Sequence, residues 1–228
     1  MRKIVITVAS VLAGFACATA AAAQVAVVDE TVPLKEVTIS GGIDLKSRYV
    51  LDDLLIGTDE PVIQGWASIP VNGRCSAELW GSHGISTSTG AELDIGGKCR
   101  LTGDDESYSE LEVSRYLLKG TDDMTAVSLN FKSGGFDASV SQYFWDKNPD
   151  ATQVQVGYST ELSERVSARV LATYETGFGL PDIGVIGAEL DYSLTDTLSV
   201  GFKGLVPVKK SGRDDRGTEV VFNLSYAF

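Results

Sequence analysis

Counting back from the C-terminus, every second residue is large and apolar: Phe228, Tyr226, Leu224, Phe222 and Val220. Between them stand Ala227, Ser225 and Asn223, which are small or polar. This is a strand of period two, with one greasy face and one wet face. One chain can use such a strand in two ways. It can form the edge of a soluble sheet, or it can face lipid as one wall of a membrane barrel, with aromatics at the interface.

The same rhythm recurs through most of the chain, and that favours the barrel. From Lys35 onward, turn signals cut the sequence into about twelve alternating segments, each near the 9–11 residues a tilted membrane strand needs. The first is expected to run from Glu36 to Val50, followed by a loop over 51–59. Asn72-Gly73, Asp104-Asp105, Gly134-Gly135, Ser163-Glu164 and Thr195-Asp196 mark short turns. They alternate with longer or more charged connections. An up-and-down barrel has short turns at one end and longer loops at the other, and an even strand number returns both termini to the turn side. The expected fold is therefore all-β: a transmembrane up-and-down antiparallel β-barrel in the bacterial outer membrane, monomeric or weakly associated, with both termini periplasmic. In such a barrel Phe222, Leu224, Tyr226 and Phe228 form the C-terminal signal read by the assembly machinery. Lipid and lipopolysaccharide would surround it.

The N-terminal end agrees. Met1-Arg2-Lys3 is a short basic head, Ile4 to Ala16 is apolar, and small residues follow up to Ala23. That pattern predicts a signal peptide over 1–23, cut between Ala23 and Gln24. Cys17 is then lost with the signal. The apolar run is short for a membrane helix, which needs about 20 residues. Residues 24–34 show no alternation and read as a periplasmic leader, leaving 35–228 for the barrel. The formal charge of −12 becomes two units more negative without Arg2 and Lys3. A chain this acidic lacks the basic footprint of a nucleic-acid binder.

The wet faces of the predicted strands are strongly charged. They carry Asp44, Lys46, Arg48, Gln64, Glu78, Glu92, Asp94, Lys98, Arg100, Glu110, Glu112, Arg169, Glu189, Asp191 and Lys203. Charges on that scale are not buried dry, so they line a wet lumen or tie one another in ion pairs. A narrow diffusion path for small hydrophilic solutes or ions follows from the first case, with weak cation preference because acidic residues predominate. A non-conducting structural or surface-interaction barrel follows from the second. Tyr and Trp near strand ends read as interface aromatics.

Cys75 and Cys99 fall on one face and at one level of a single predicted hairpin. In an exported chain a cross-strand disulfide is expected there. His83 is the only histidine, beside Ser82 and Ser86. An outer-membrane lipid-modifying enzyme would have to build on it, but a lone loop histidine reads as solvated surface, and no catalytic role, metal or cofactor is expected. Asp122-Asp123 and Asp214-Asp215 sit in predicted loops, where solvated carboxylates are ordinary.

Several short elements resemble the TorF family of porin-like outer-membrane proteins. They are Ser47-Arg48-Tyr49 in the first segment, Pro61-Val62-Ile63-Gln64-Gly65 in the second, Trp80-Gly81-Ser82 in the third, and Glu92-Leu93-Asp94 with Gly97 in the fourth. The match covers about the first half of the chain after the predicted signal; beyond Leu101 only the strand rhythm agrees. The resemblance implies an outer-membrane barrel with no defined substrate. In one place the sequence departs from it. Asp52-Asp53 stands where the family usually carries Arg-Gly, which would alter selectivity if that Arg lined a constriction.

Overall fold

The computed structural model describes residues 38–51, 55–86, 91–177, 180–209 and 218–228. The expected signal segment with Ala23 and Gln24, the leader, Asp52-Asp53 and Asp214-Asp215 lie outside the described residues.

Alternation becomes structure along the whole described chain. The strands are β1 Ser40–Lys46, β2 Tyr49–Leu51, β3 Leu55–Thr58, β4 Val62–Pro70, β5 Cys75–Gly84, β6 Glu92–Gly103 and β7 Ser107–Leu118. They continue as β8 Met124–Ser133, β9 Phe136–Trp145, β10 Ala151–Ser163, β11 Val166–Gly177, β12 Leu180–Ser193, β13 Leu198–Lys209 and β14 Glu219–Ala227. Apart from β2 and β3, each pairs antiparallel with its neighbours in one closed twelve-stranded barrel, and β2 and β3 pair only with each other.

The C-terminal strand closes the barrel. β14 lies against β13 on one side and β1 on the other, with Ile43 opposite Tyr226 and Leu45 opposite Leu224. Gly41 and Phe228 exchange two backbone hydrogen bonds, of 3.0 and 2.9 Å. Among the described residues, every strand of the barrel wall is paired on both sides, which a spanning sheet requires.

Faces are distributed as in a barrel turned inside out. Ile43, Ile63, Leu93, Ile95, Val113, Val156, Val170, Ile186 and Phe222 are exposed on the outside. Tyr158, Tyr174, Tyr192 and Tyr226 join them there, where interface aromatics were expected. Polar and charged residues point inward, and the buried apolar residues form small patches on the inner wall.

Short turns gather at one end. At the first, Asn72 Oδ1 accepts hydrogen bonds from the Arg74 and Cys75 amides at 2.8 and 2.9 Å. Asp104 does the same for Glu106 and Ser107 at 3.0 and 2.9 Å. The Ser107 amide, then that of Glu106, holds the Asp104 carboxyl below the usual carboxylate range. Gly134 adopts φ +56°, the left-handed conformation its tight turn needs. The Cys75–Cys99 disulfide is present, between directly paired residues with Cα atoms 4.1 Å apart. By register it lies on the outer face, near the turn end.

The opening segment is shorter than its alternation implies. β1 ends at Lys46 rather than continuing to Val50. Ser47 still holds the wall, donating its amide to Phe222 O at 2.9 Å and accepting from the Phe222 amide through Oγ at 3.0 Å. The chain then leaves the wall, and what reads in sequence as loop 51–59 is partly the ribbon β2–β3.

Candidate functional site

The lumen is the site, and strand parity positions its side chains. Asp44 and Lys46 face in from β1, with Arg48 just beyond, Gln64 from β4 and Glu78 from β5. β6 contributes Glu92, Asp94, Lys98 and Arg100, and β7 contributes Glu110 and Glu112. Arg169, Glu189, Asp191 and Lys203 come from β11, β12 and β13. The same parity brings in Glu175 and two residues that the sequence reading missed, Asp137 and Glu219. The alternation of Asp137 and Glu219 with outward Phe136 and Val220 was the available signal.

These charges are grouped by wall. On one wall Arg169 meets Asp137 at 2.6 Å and Glu189 at 3.9 Å, and Lys203 meets Glu189 at 2.5 Å. On the opposite wall Glu78 accepts from Ser68 at 2.8 Å and from Ser76, and lies 3.4 Å from Lys98. At the turn-end mouth Arg100 pairs with Asp105 at 2.7 Å and sits 5.0 Å above the Tyr108 ring.

Between these walls runs the ribbon. Tyr49, only 6% exposed, donates its hydroxyl to Glu92, and its ring lies 5.9 Å from that of Trp80. Val50, the next residue, packs across the lumen on Leu171, Ile183, Val185 and Leu205. Gly187 leaves room for that patch, since a Cβ there would come within 2.7 Å of Leu205. Arg48 pairs with Glu219 below the ribbon. Alternating side chains therefore grip opposite walls, and the chain at Tyr49-Val50 bridges the lumen.

Lys46 and Val50 border two cavities, of about 450 and 250 Å³. The larger is lined by Glu78, Glu92, Asp94 and Glu112 against Lys46 and Lys98. In the smaller, Asp44, Glu189 and Asp191 are balanced by Lys46, Arg48 and Lys203. Positions distant in sequence (Arg48, Tyr49, Gln64, Trp80, Ser82, Glu92) thus converge on one constriction. Ser82 Oγ accepts from Gln64 Nε2 at 3.4 Å.

Two strand-end aromatics correct the sequence reading. Tyr143 and Trp145 pack with Met124, Ala126 and Ala151 on the inner wall rather than at the membrane interface. Trp66 and Trp80 line the larger cavity, on the face they share with polar neighbours.

Ser82 and His83 point to opposite faces of β5. Ser82 is buried in the lumen, whereas His83 is on the outside, its Nδ1 2.7 Å from Gly84 O. In the loops Asp122 pairs with Lys147 at 2.8 Å. Arg115 grips Asp146 through two bonds of 3.0 and 2.7 Å and lies 3.6 Å from Asp123. Arg115 holds the Asp146 carboxyl below the usual range, and Asp122 raises the Lys147 ammonium.

No family model and no curated protein matches this chain. Solved structures do. The barrel resembles known porins. KdgM porin in complex with disordered oligogalacturonate aligns with a TM-score of 0.59 and 10% identity, over 83% of this chain and 99% of that one. NanC porin aligns with a TM-score of 0.56 and 9% identity, over 84% and 99%. At such identities the likeness is one of fold.

Proposed function

We infer that this chain is an outer-membrane channel through which small hydrophilic solutes or ions diffuse, with a weak preference for cations. The observation that carries this reading is the division of the wall: a continuous apolar outer face and a charged inner face enclosing two cavities. An apolar band of that extent suits hydrocarbon rather than water. The charged lumen suits water and hydrated solutes. Likeness of fold to KdgM and NanC supports the same reading, as does the resemblance of the first half to TorF-family sequences. We place both termini in the periplasm, on the side of the short turns, with the loops outside.

Cation preference rests on the larger cavity, where carboxylates outweigh Lys46 and Lys98. The ribbon sets the size limit. Of the alternatives, a sealed structural barrel has one observation in its favour, the bridging of the lumen by Tyr49 and Val50. Catalysis is not part of the proposal, because Ser82 and His83 lie on opposite faces.

Liposome swelling separates the open from the sealed reading. Proteoliposomes in isosmotic sugars of increasing size should swell fast with the smallest and progressively slower with larger ones. Swelling no faster than in protein-free liposomes, with the barrel shown to be folded and inserted, would leave the sealed barrel.

A further inference from the structure

All three tryptophans of the sequence, Trp66, Trp80 and Trp145, lie in one inner-face row. Cross-strand pairing links Trp66 to Trp80, Trp80 to Asp94, Asp94 to Tyr116, Tyr116 to Met124, and Met124 to Trp145. The row climbs. Trp66 stands mid-strand in β4, Tyr116 near the loop end of β7, and Trp145 is the last residue of β9. Rows perpendicular to tilted strands spiral up a barrel wall in this way. Tyr143 sits beside the row, its ring 6.3 Å from that of Tyr116 in an edge contact.

Hydrogen-bonding groups run along both sides. One flanking row holds Ser68, Glu78, Gly96 and Ser114; the other holds Gln64, Ser82 and Glu92. Gln64 Oε1 and Glu92 Oε1 are buried there without a hydrogen-bond donor among the described residues. The lower part of the row opens into the cavity of about 450 Å³, within the roughly 300–1,000 Å³ of small-ligand sites.

We propose that this strip is a saccharide track, with a sugar-binding subsite in the larger cavity for a neutral oligosaccharide. A pyranose ring presents an apolar C–H face edged by hydroxyls. Aromatic rings in a line match the face, and carboxylate, amide and hydroxyl groups on either side match the edge. Glu78, Glu92, Asp94 and Glu112 repel acidic sugars from the same place. The proposal deepens the channel reading but needs only a folded barrel, not an open one.

The tryptophans report on their own site. The refolded protein in detergent is titrated with maltotriose, with chitotriose and with trigalacturonate while tryptophan fluorescence is followed. At least one neutral trisaccharide is expected to give a saturable change at millimolar concentration, and trigalacturonate none. Trp80→Ala, which keeps two reporters, should raise the half-saturating concentration roughly tenfold. Tyr116→Leu is the second variant should Trp80→Ala not fold, and Tyr158→Ala, on the outer face, should bind as the parent does. No saturable change with either neutral sugar, equal binding of trigalacturonate, or undiminished binding in the row variants would overturn the proposal. Binding by a barrel that passes nothing would keep the subsite and reject the channel; conduction without binding would do the reverse.

Discussion

Tyr49 shows how much one residue decides. Its hydroxyl donates to Glu92, its ring lies on Trp80, and its neighbour Val50 reaches the other wall. Tyr49→Phe keeps the ring and removes the donor. It should cost about 1–2 kcal/mol, because Glu92 loses a bond at a buried position, and a urea titration measures it. Arg169 plays the corresponding part on the far wall, between Asp137 and Glu189. Arg169→Ala leaves two carboxylates facing the lumen with one cation fewer. Reversal potentials in a salt gradient should shift further toward cation selectivity. Its stability cost should stay near 1 kcal/mol, since water in the lumen screens the pair.

At the scale of elements, strands were legible and the ribbon was not. Period-two alternation is local, so each wall strand could be read from its own residues, and parity assigned the inner charges. The ribbon depends on contacts between β2 and distant walls, and nothing local at Ser47-Arg48 breaks the alternation of β1. Tyr49 and Val50 therefore read as more strand. Tyr143 and Trp145 were misread for a related reason: their place at a strand end suggested an interface, although parity with Asp137 and Ser141 pointed inward. The disulfide was legible because register alone puts Cys75 opposite Cys99. Closing a loop with a sequence separation of 24, it should stabilise by about 3 kcal/mol on the chain-entropy model. Cys75→Ala should unfold at lower urea, and reductant should lower the parent to match. The loop tie behaves differently. Asp146 has a depressed carboxyl pKa through Arg115, so its contribution is present above the ordinary carboxylate range and is lost as pH falls through the depressed value. Protection factors for hydrogen exchange in 119–123 and 146–150, corrected for the intrinsic rate at each pH, should hold steady around neutral pH and fall only in strong acid.

For the whole molecule, the closed sheet explains why a chain with few buried apolar residues can hold one structure. Every strand is paired, the apolar side chains find lipid, and the charges find water or each other. What remains within the wall is a passage narrowed at Tyr49-Val50, and its conductance tests the account most directly. Single-channel recording of the refolded protein in a planar bilayer should show small, cation-biased steps, and the Tyr49→Ala/Val50→Ala double variant should show larger ones. A silent bilayer holding folded, inserted barrel, or steps that the double variant leaves unchanged, would contradict it.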